Sequence, residues 1–136
     1  MRPVEVARAF MDRINAADVD GLVQMMTEDH TFVDSLGKSI RGKTWMRPAW
    51  NAYFGFCAEY WITDEEILES GDTVAIFGKA GGIVAGTRWE TPAAWRAVIQ
   101  DGLVREWRVY ADNKPVYDIL AAQAAPASRE DDLCNN

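Results

Sequence analysis

The chain has 136 residues, and 14 Lys or Arg against 21 Asp or Glu give it a formal net charge of −7. This length fits one domain with a sizeable core, and the charge argues against nucleic acid or an anionic membrane as a partner. The N-terminal residues lack a signal-peptide pattern, and Cys57 and Cys134 make no disulfide framework, so we expect a cytoplasmic protein with reduced thiols.

The first part of the chain has helical patterns. Pro3 suits the first turn of a helix, and an apolar stripe at helical spacing continues to Ala17. Asp18 is a suitable N-cap for a short second helix. A third helix is predicted over about 44–57, with Pro48 in its first turn, where a missing N–H is tolerated.

The second half of the chain alternates with period two, which predicts strands. We expect a short strand at 31–34 and later strands at about 59–69, 73–85, 87–99 and 103–111. The turns between the later strands are predicted at Ser70-Gly71-Asp72, Ala85-Gly86 and Gln100-Asp101-Gly102. This order indicates an α+β domain in which helices precede a meander of strands.

A last helix is predicted from Pro115, with Asp112 as its cap. From Ala121 the chain becomes rich in alanine and then acidic, which is typical of a mobile tail. We therefore place a single domain at 1–120 and a flexible acidic tail at 121–136.

Asp34 is the strongest candidate for a catalytic carboxylate. Thr31-Phe32-Val33 predicts a short strand, on which Phe32 and Asp34 point to the same face. Asp34 is then either a general base in an apolar pocket, where burial disfavours its charged form, or a strand-end residue bonded to the following turn. The sequence leaves both interpretations open.

His30, the only histidine, would share that face. In a pocket it would serve as an acid or as a donor to an oxyanion. The alternative, which the sequence favours, is a histidine at a helix–strand junction bonded to nearby backbone. Four strand residues put His30 about 13 Å from Asp34, too far for a direct dyad.

The six tryptophans come from several segments, so we expect some of them to converge. Large aromatic side chains are often plain core, but a Trp-rich interior also favours a cavity for a ligand with a few polar atoms. The residues predicted to line such a cavity are Phe10, Ile14, Met26, Phe32, Trp45, Trp50, Tyr53, Phe54, Tyr60, Trp89, Trp95 and Trp107.

No cofactor or metal site is predicted. One histidine and scattered acids do not make a set of metal ligands. Gly78, Gly81 and Gly82 fall on a strand with no helix after them, which indicates bends rather than a phosphate-binding loop.

Three motifs follow one another along the chain: Asn15-Ala16-Ala17-Asp18-Val19-Asp20-Gly21-Leu22, Phe32-Val33-Asp34-Ser35-Leu36-Gly37, and Asp101-Gly102-Leu103-Val104 followed by Trp107-Arg108-Val109-Tyr110-Ala111-Asp112. In this order they resemble the nuclear transport factor 2-like superfamily, which includes ketosteroid isomerases, SnoaL-like polyketide cyclases and limonene epoxide hydrolases. The resemblance implies a cone-shaped α+β barrel, with N-terminal helices packed into a strongly curved, mostly antiparallel mixed sheet that encloses a pocket. It also implies a homodimer formed through the outer sheet face.

Under this resemblance, Asp34 matches the proton-shuttling aspartate of the ketosteroid isomerases. Their two oxyanion donors have no counterpart, because the matching positions are Phe10 and Ala93 or Ala94, and losing one donor typically costs about 10²–10³ in rate. The last-strand aspartate of the epoxide hydrolases corresponds to Val109. The resemblance therefore favours the SnoaL-like group, in which a pocket aspartate removes a proton from carbon.

Three main functions and one further alternative fit these residues. The favoured one is a cofactor-independent enzyme of isomerase, cyclase or lyase type: Asp34 removes a proton next to a carbonyl of an apolar or aromatic substrate, and Tyr53 or Tyr60 replaces the missing donors. The second is a non-catalytic domain that binds a hydrophobic ligand, and epoxide hydrolase-like activity is a further alternative. The third is a dimerising interaction module with a filled interior.

Overall fold

The computed structural model describes residues 1–134, with side chains described as far as Ala124. The helices are α1 Pro3–Asn15, α2 Val19–Gln24, α3 Lys43–Phe56 and α4 Lys114–Cys134. The strands are β1 Met26–Val33, β2 Ser39–Arg41, β3 Ala58–Ile62, β4 Glu66–Ser70, β5 Thr73–Val84, β6 Thr87–Gln100 and β7 Leu103–Ala111. The predicted α+β class is confirmed.

The N-terminal helices have the end groups that their sequences predict. The Glu5 carboxylate accepts a hydrogen bond of 2.8 Å from the Arg2 backbone N–H at the start of α1. The Asp18 carboxylate accepts one of 2.9 Å from the Gly21 N–H and so caps α2. Helix α1 then contributes a buried apolar stripe to the core, formed by Val6, Ala7, Phe10, Met11 and Ile14.

The strands form one seven-stranded sheet in the order β2-β1-β7-β6-β5-β3, and β4 also pairs with β5. Strands β1 and β7 run parallel, whereas the other pairs are antiparallel. Within the described range β2 and β3 are not paired with each other, so the sheet is open and the predicted barrel is not closed. Helix α3 packs against β1, β2 and β3 and thereby covers the gap between the two edges.

The two long hairpins turn where predicted. Ala85 and Gly86 have φ angles of 49° and 79°, and Asp101 and Gly102 have φ angles of 53° and 77°. Two consecutive left-handed residues give a turn whose twist matches that of the flanking strands. The pairings β5–β6 and β6–β7 are therefore specified by local sequence.

Some elements differ from the prediction. Strand β1 begins at Met26, well before 31, and the stretch 59–69 is divided into β3 and β4, which pair with different parts of β5. Pro48 lies in the second turn of α3 rather than the first. It is tolerated there because both Pro48 and Thr44, whose carbonyl lacks the usual helical donor, are exposed to water.

A bulge changes the faces of β7. The β6–β7 register shifts after Val98, and the extra residue on β7 is Arg105. Val104 is consequently buried in the core, whereas strict alternation placed Leu103 on that face. Beyond the bulge, Trp107 points inward as predicted.

Helix α4 starts beside Asp112, whose carboxylate accepts a hydrogen bond of 2.9 Å from the Lys114 backbone N–H, as expected of a cap. The helix continues to Cys134, past the predicted end near Leu120. Within the predicted tail, residues 135 and 136 and the side chains from 125 onward, including that of Cys134, lie outside the described residues. The division at 120 and the flexibility of the tail stay predictions.

Gly78 lies where the link between β3 and β4 approaches β5. A Cβ atom at Gly78 would meet the Thr63 carbonyl oxygen at 2.1 Å. Because this oxygen belongs to the backbone, no side-chain rotation could relieve the contact. The close approach of this link to β5, rather than a special turn, therefore requires glycine here.

We expect Gly78→Ala to destabilise the protein by about 1–3 kcal/mol, the usual cost of overpacking. Gly55→Ala is the matched control, because a Cβ at this exposed position in α3 has no atom within 4 Å and alanine is the better helix former. Urea unfolding measures both variants. An unchanged unfolding midpoint for Gly78→Ala would contradict the close approach.

Candidate functional site

A cavity of about 380 Å³ lies between the ends of β1 and β7, helix α3, strand β3 and the start of α4. Half of its lining is aromatic: Phe32, Trp50, Tyr53, Tyr60, Trp107 and Tyr117. The other lining residues are Asp34, Ser35, Leu36, Ala49, Val109 and Asn113. The volume lies within the range of small-molecule sites. The third predicted function, an interaction module, therefore lacks the packed interior that would have favoured it.

Asp34 follows the last residue of β1 and is half-buried in the cavity wall. Its Oδ1 accepts hydrogen bonds of 2.9 Å from the backbone N–H groups of Leu36 and Lys38. Its Oδ2 accepts neither of these bonds. Both interpretations from the sequence therefore describe its position, because one oxygen organises the turn while the residue also lines the cavity.

The turn that carries Asp34 is tied to helix α4. The Asn113 side-chain amide donates a hydrogen bond of 2.7 Å to the Ser35 hydroxyl and a longer one of 3.3 Å to the Tyr117 hydroxyl. The first bond links the segment after β7 to the turn after β1, whereas the second is local to the start of α4. Asn113 thereby restrains the residue next to Asp34.

Two phenols face each other in the cavity wall. The rings of Tyr53 and Tyr60 meet edge to face, with centroids 4.9 Å apart. Burial raises the pKa of both hydroxyls well above the ordinary value. Each tyrosine is therefore a neutral hydrogen-bond donor throughout the physiological pH range.

Cys57 is a buried free thiol that packs beside Tyr53 and Tyr60. Burial raises the pKa of this thiol, although nearby hydrogen-bond donors oppose the shift. Cys57 is thus a protonated core residue rather than an activated nucleophile.

His30 is fully buried and does not line the cavity. Its Nδ1 lies 2.6 Å from the Val104 carbonyl oxygen, which can only accept, so Nδ1 carries the proton. Its Nε2 is buried without a hydrogen-bond partner among the described residues. Burial lowers the pKa of the imidazole and keeps it neutral. This geometry is that of a backbone-bonded histidine and does not support the predicted catalytic role.

The predicted lining residues fall into three groups. Phe32, Trp50, Tyr53, Tyr60 and Trp107 line the cavity as predicted. Five others pack in the core or beside the lining residues rather than on the cavity surface: Phe10, Ile14, Met26, Phe54 and Trp95. Trp45 is 63% exposed and Trp89 packs behind Tyr60, so neither lines this cavity. Periodicity identifies the inward face of an element but not the depth of each residue along it.

Sequence reasoning missed several lining residues. Asn113 directly precedes α4 and Tyr117 lies in its first turn, and no local signal shows that this part of the chain covers the cavity. Ser35 and Leu36 were assigned only to a turn. Val109 could have been predicted, because strand alternation places it on the same face of β7 as Trp107.

Two kinds of site receive no support from the described residues. In that range there is no group of three His, Cys, Asp or Glu side chains that could hold a metal ion. None of the described helices is long and apolar enough to cross a membrane.

The structure thus combines an open, mixed sheet, helices that precede it and a partly aromatic cavity at one end. Residues 7–107 match the model of the SnoaL-like domain family. The match covers most of the chain, which therefore belongs to this family. Among curated protein sequences, none is significantly similar to the chain.

Solved structures share the fold at low sequence identity. A candidate SnoaL-like polyketide cyclase from Shewanella denitrificans OS-217 superposes with a TM-score of 0.79 and 14% identity, over 88% of this chain and 97% of that one. Another from Shewanella putrefaciens CN-32 gives 0.78 and 17%, over 88% and 86%. A hypothetical protein with a ketosteroid isomerase-like fold from Catenulispora acidiphila DSM 44928, solved in complex with trimethylamine, gives 0.73 and 19%, over 81% and 86%. These similarities establish the fold alone.

Neutral, buried His30 predicts a pH-dependent stability. An unfolded histidine binds a proton below a pH of about 6.5, whereas the folded state resists protonation because the pKa of His30 is lowered. The free energy of unfolding should therefore fall as the pH drops below this value, by up to about 1.4 kcal/mol per pH unit. The fall stops at the folded pKa.

His30→Asn should abolish this part of the pH dependence, because its amide nitrogen replaces Nδ1 as the donor to Val104 and does not titrate. Urea unfolding of both proteins between neutral and mildly acidic pH measures the difference. Equal slopes against pH would show that His30 does not titrate on unfolding.

Proposed function

We propose that this protein is a cofactor-independent enzyme that removes a proton next to a carbonyl of an apolar or aromatic small molecule, in a reaction of isomerase, cyclase or lyase type. One observation carries the proposal: Asp34, with one oxygen not engaged by its turn, lines a cavity whose wall is half aromatic. Among the lining residues that the structure describes, Asp34 is the only charged one. It is therefore the candidate general base.

In the proposed step, Oδ2 of Asp34 takes a proton from the carbon next to the carbonyl. The electrons of the broken C–H bond move into the enolate, whose oxygen gains negative charge. The hydroxyl of Tyr53 or Tyr60 then donates a hydrogen bond to this oxygen, as an oxyanion hole does. In an isomerisation the carboxylic acid returns the proton to another carbon. In a cyclisation the enolate carbon instead bonds to a second carbonyl carbon of the substrate, and the carboxylic acid gives its proton to the alkoxide oxygen that this bond creates.

The surroundings of Asp34 suit this role. The two N–H bonds to Oδ1 fix the plane of the carboxylate, and a fixed base reacts faster than a mobile one because its geometry is already prepared. The Asn113–Ser35 bond restrains the same turn. The aromatic wall limits the access of water, which strengthens electrostatic interactions inside the cavity.

The leading alternative is a binding domain that releases its ligand unchanged. The same cavity would serve it, and the trimethylamine in the Catenulispora structure is a precedent for a small guest in this fold. Epoxide hydrolase-like activity is less favoured, because the cavity residue at the matching last-strand position is Val109, which cannot position a water.

Asp34→Asn tests the proposed base. The amide oxygen can still accept the bonds of the turn, but it cannot take a proton from carbon. With a panel of aromatic and polycyclic ketones such as 2-tetralone in D₂O, NMR measures exchange of hydrogen next to the carbonyl. We expect the protein-catalysed rate to fall by about 10²–10⁴, the usual contribution of a general base.

Asp12→Asn is the matched control, because Asp12 is exposed on α1. Tyr60→Phe should slow the exchange by about 10²–10³ if its hydroxyl serves the enolate. Equal exchange by Asp34→Asn and the wild type would refute the assignment of the base. A wild type that accelerates exchange in no ketone of the panel would favour the binding alternative.

We also propose a homodimer through the outer sheet face. Phe77, Ala94 and Tyr110 lie side by side across β5, β6 and β7, and the two aromatic residues are exposed. Arg108 on the same face has a buried Nε without a hydrogen-bond partner among the described residues. A second copy would cover the apolar row and could supply the missing acceptor.

Phe77→Asp should convert the dimer into a monomer, because it would bury an unpaired charge in the interface. Leu36→Asp is the control, since Leu36 is also exposed to water, at 61% against 41% for Phe77, but lies at the cavity rather than on the outer sheet face. Sedimentation velocity reports the oligomeric state, and circular dichroism confirms folding. A wild type that sediments only as a monomer would refute the interface.

A further inference from the structure

We propose that the ligand of the cavity carries a positively charged, alkylated amine. The lining combines six aromatic rings with the carboxylate of Asp34, and no Lys, Arg or His belongs to its described members. This inference goes beyond the proposed function, because it concerns the charge of the ligand and holds whether or not Asp34 removes a proton.

The ring geometry supports a cation site. Phe32 meets Trp50 at 75° with centroids 5.8 Å apart, Trp50 meets Tyr53 at 87° and 6.5 Å, and Tyr53 meets Tyr60 at 86° and 4.9 Å. Successive rings are thus nearly perpendicular, and all four of them line the cavity. The electron-rich face of an aromatic ring attracts a cation within about 6 Å of its centroid.

The charges near the cavity also favour a positively charged ligand over a negatively charged one. Lys38, which follows Asp34 in its turn, is exposed, and the Lys114 ammonium is paired with the Asp118 carboxylate at 2.8 Å. An anionic ligand would therefore meet the Asp34 carboxylate without a cation in the lining to offset it. The net charge of −7 also favours the approach of cations over anions.

The apolar wall favours an alkylated amine over a primary one. A primary ammonium brings three N–H donors, and leaving any of them buried without an acceptor is costly. The described lining offers such acceptors in four hydroxyls, the Asn113 amide oxygen and the free Asp34 oxygen, but half of its residues are aromatic. Methyl groups on the nitrogen instead contact the aromatic rings, while the charge stays close to their faces and to Asp34.

A pair of isosteric probes separates charge from shape. Phenyltrimethylammonium and tert-butylbenzene have nearly the same size and differ in the charged nitrogen. We expect the cation to bind about tenfold more tightly, as a desolvated cation–π contact allows. Titration followed by NMR measures the affinity, and shifts of the Trp50 and Trp107 indole N–H signals locate the probe in the cavity.

Asp34→Asn should reduce the affinity for the cation and leave that for tert-butylbenzene unchanged, whereas Asp12→Asn should change neither. Equal affinities of the two probes, tighter binding of the neutral one, or absence of cation binding at millimolar concentration would overturn the inference. Ketone exchange is measured separately. Its retention in a protein without preference for the cation would refute this inference and leave the proposed enzyme intact.

Discussion

The parallel pairing of β1 with β7 is the constraint on which the cavity depends. Parallel strands end at the same edge of a sheet, so the turn after Val33 and the start of α4 after Ala111 come together there. Phe32 lies opposite Trp107 in this register, and both rings line the cavity. The buried His30 bonds to the Val104 carbonyl across the same two strands. A histidine that contributes nothing to the cavity lining therefore helps to hold the strands that form it.

Asp34 satisfies a structural and a chemical requirement at once. If both of its oxygens accepted hydrogen bonds from the turn, neither would be available to a ligand. If neither oxygen did, the turn would not restrain the rotation of the carboxylate. The observed division leaves one fixed carboxylate with one available oxygen. The proposed base and the proposed partner of a ligand cation are consequently the same atom. What distinguishes an enzyme from a binding domain is then the fate of the ligand rather than the shape of the site.

Much of the fold was predictable because its signals are local. Asp18 caps a helix through its own neighbours, and the Ala85-Gly86 turn sets its hairpin through its own dihedral angles. Prediction failed where distant segments interact. Arg105 is left unpaired at the point where the register of β6 and β7 shifts, and this shift is a property of the strand pair rather than of β7 alone. The stretch 59–69 divides because β3 and β4 pair with different parts of β5. The sheet stays open between β2 and β3, and α3 packs against both of these edge strands.

By itself the sequence determined the helices, the hairpins and the position of Asp34 at the end of a strand, because each depends on residues close together in the chain. The tertiary structure alone decided which aromatic side chains reach the cavity. It exposes Trp45, buries His30 behind the cavity wall and brings Asn113 from the last helix to the turn beside Asp34. These outcomes depend on which segments meet in space, and periodicity along a chain carries no information about that.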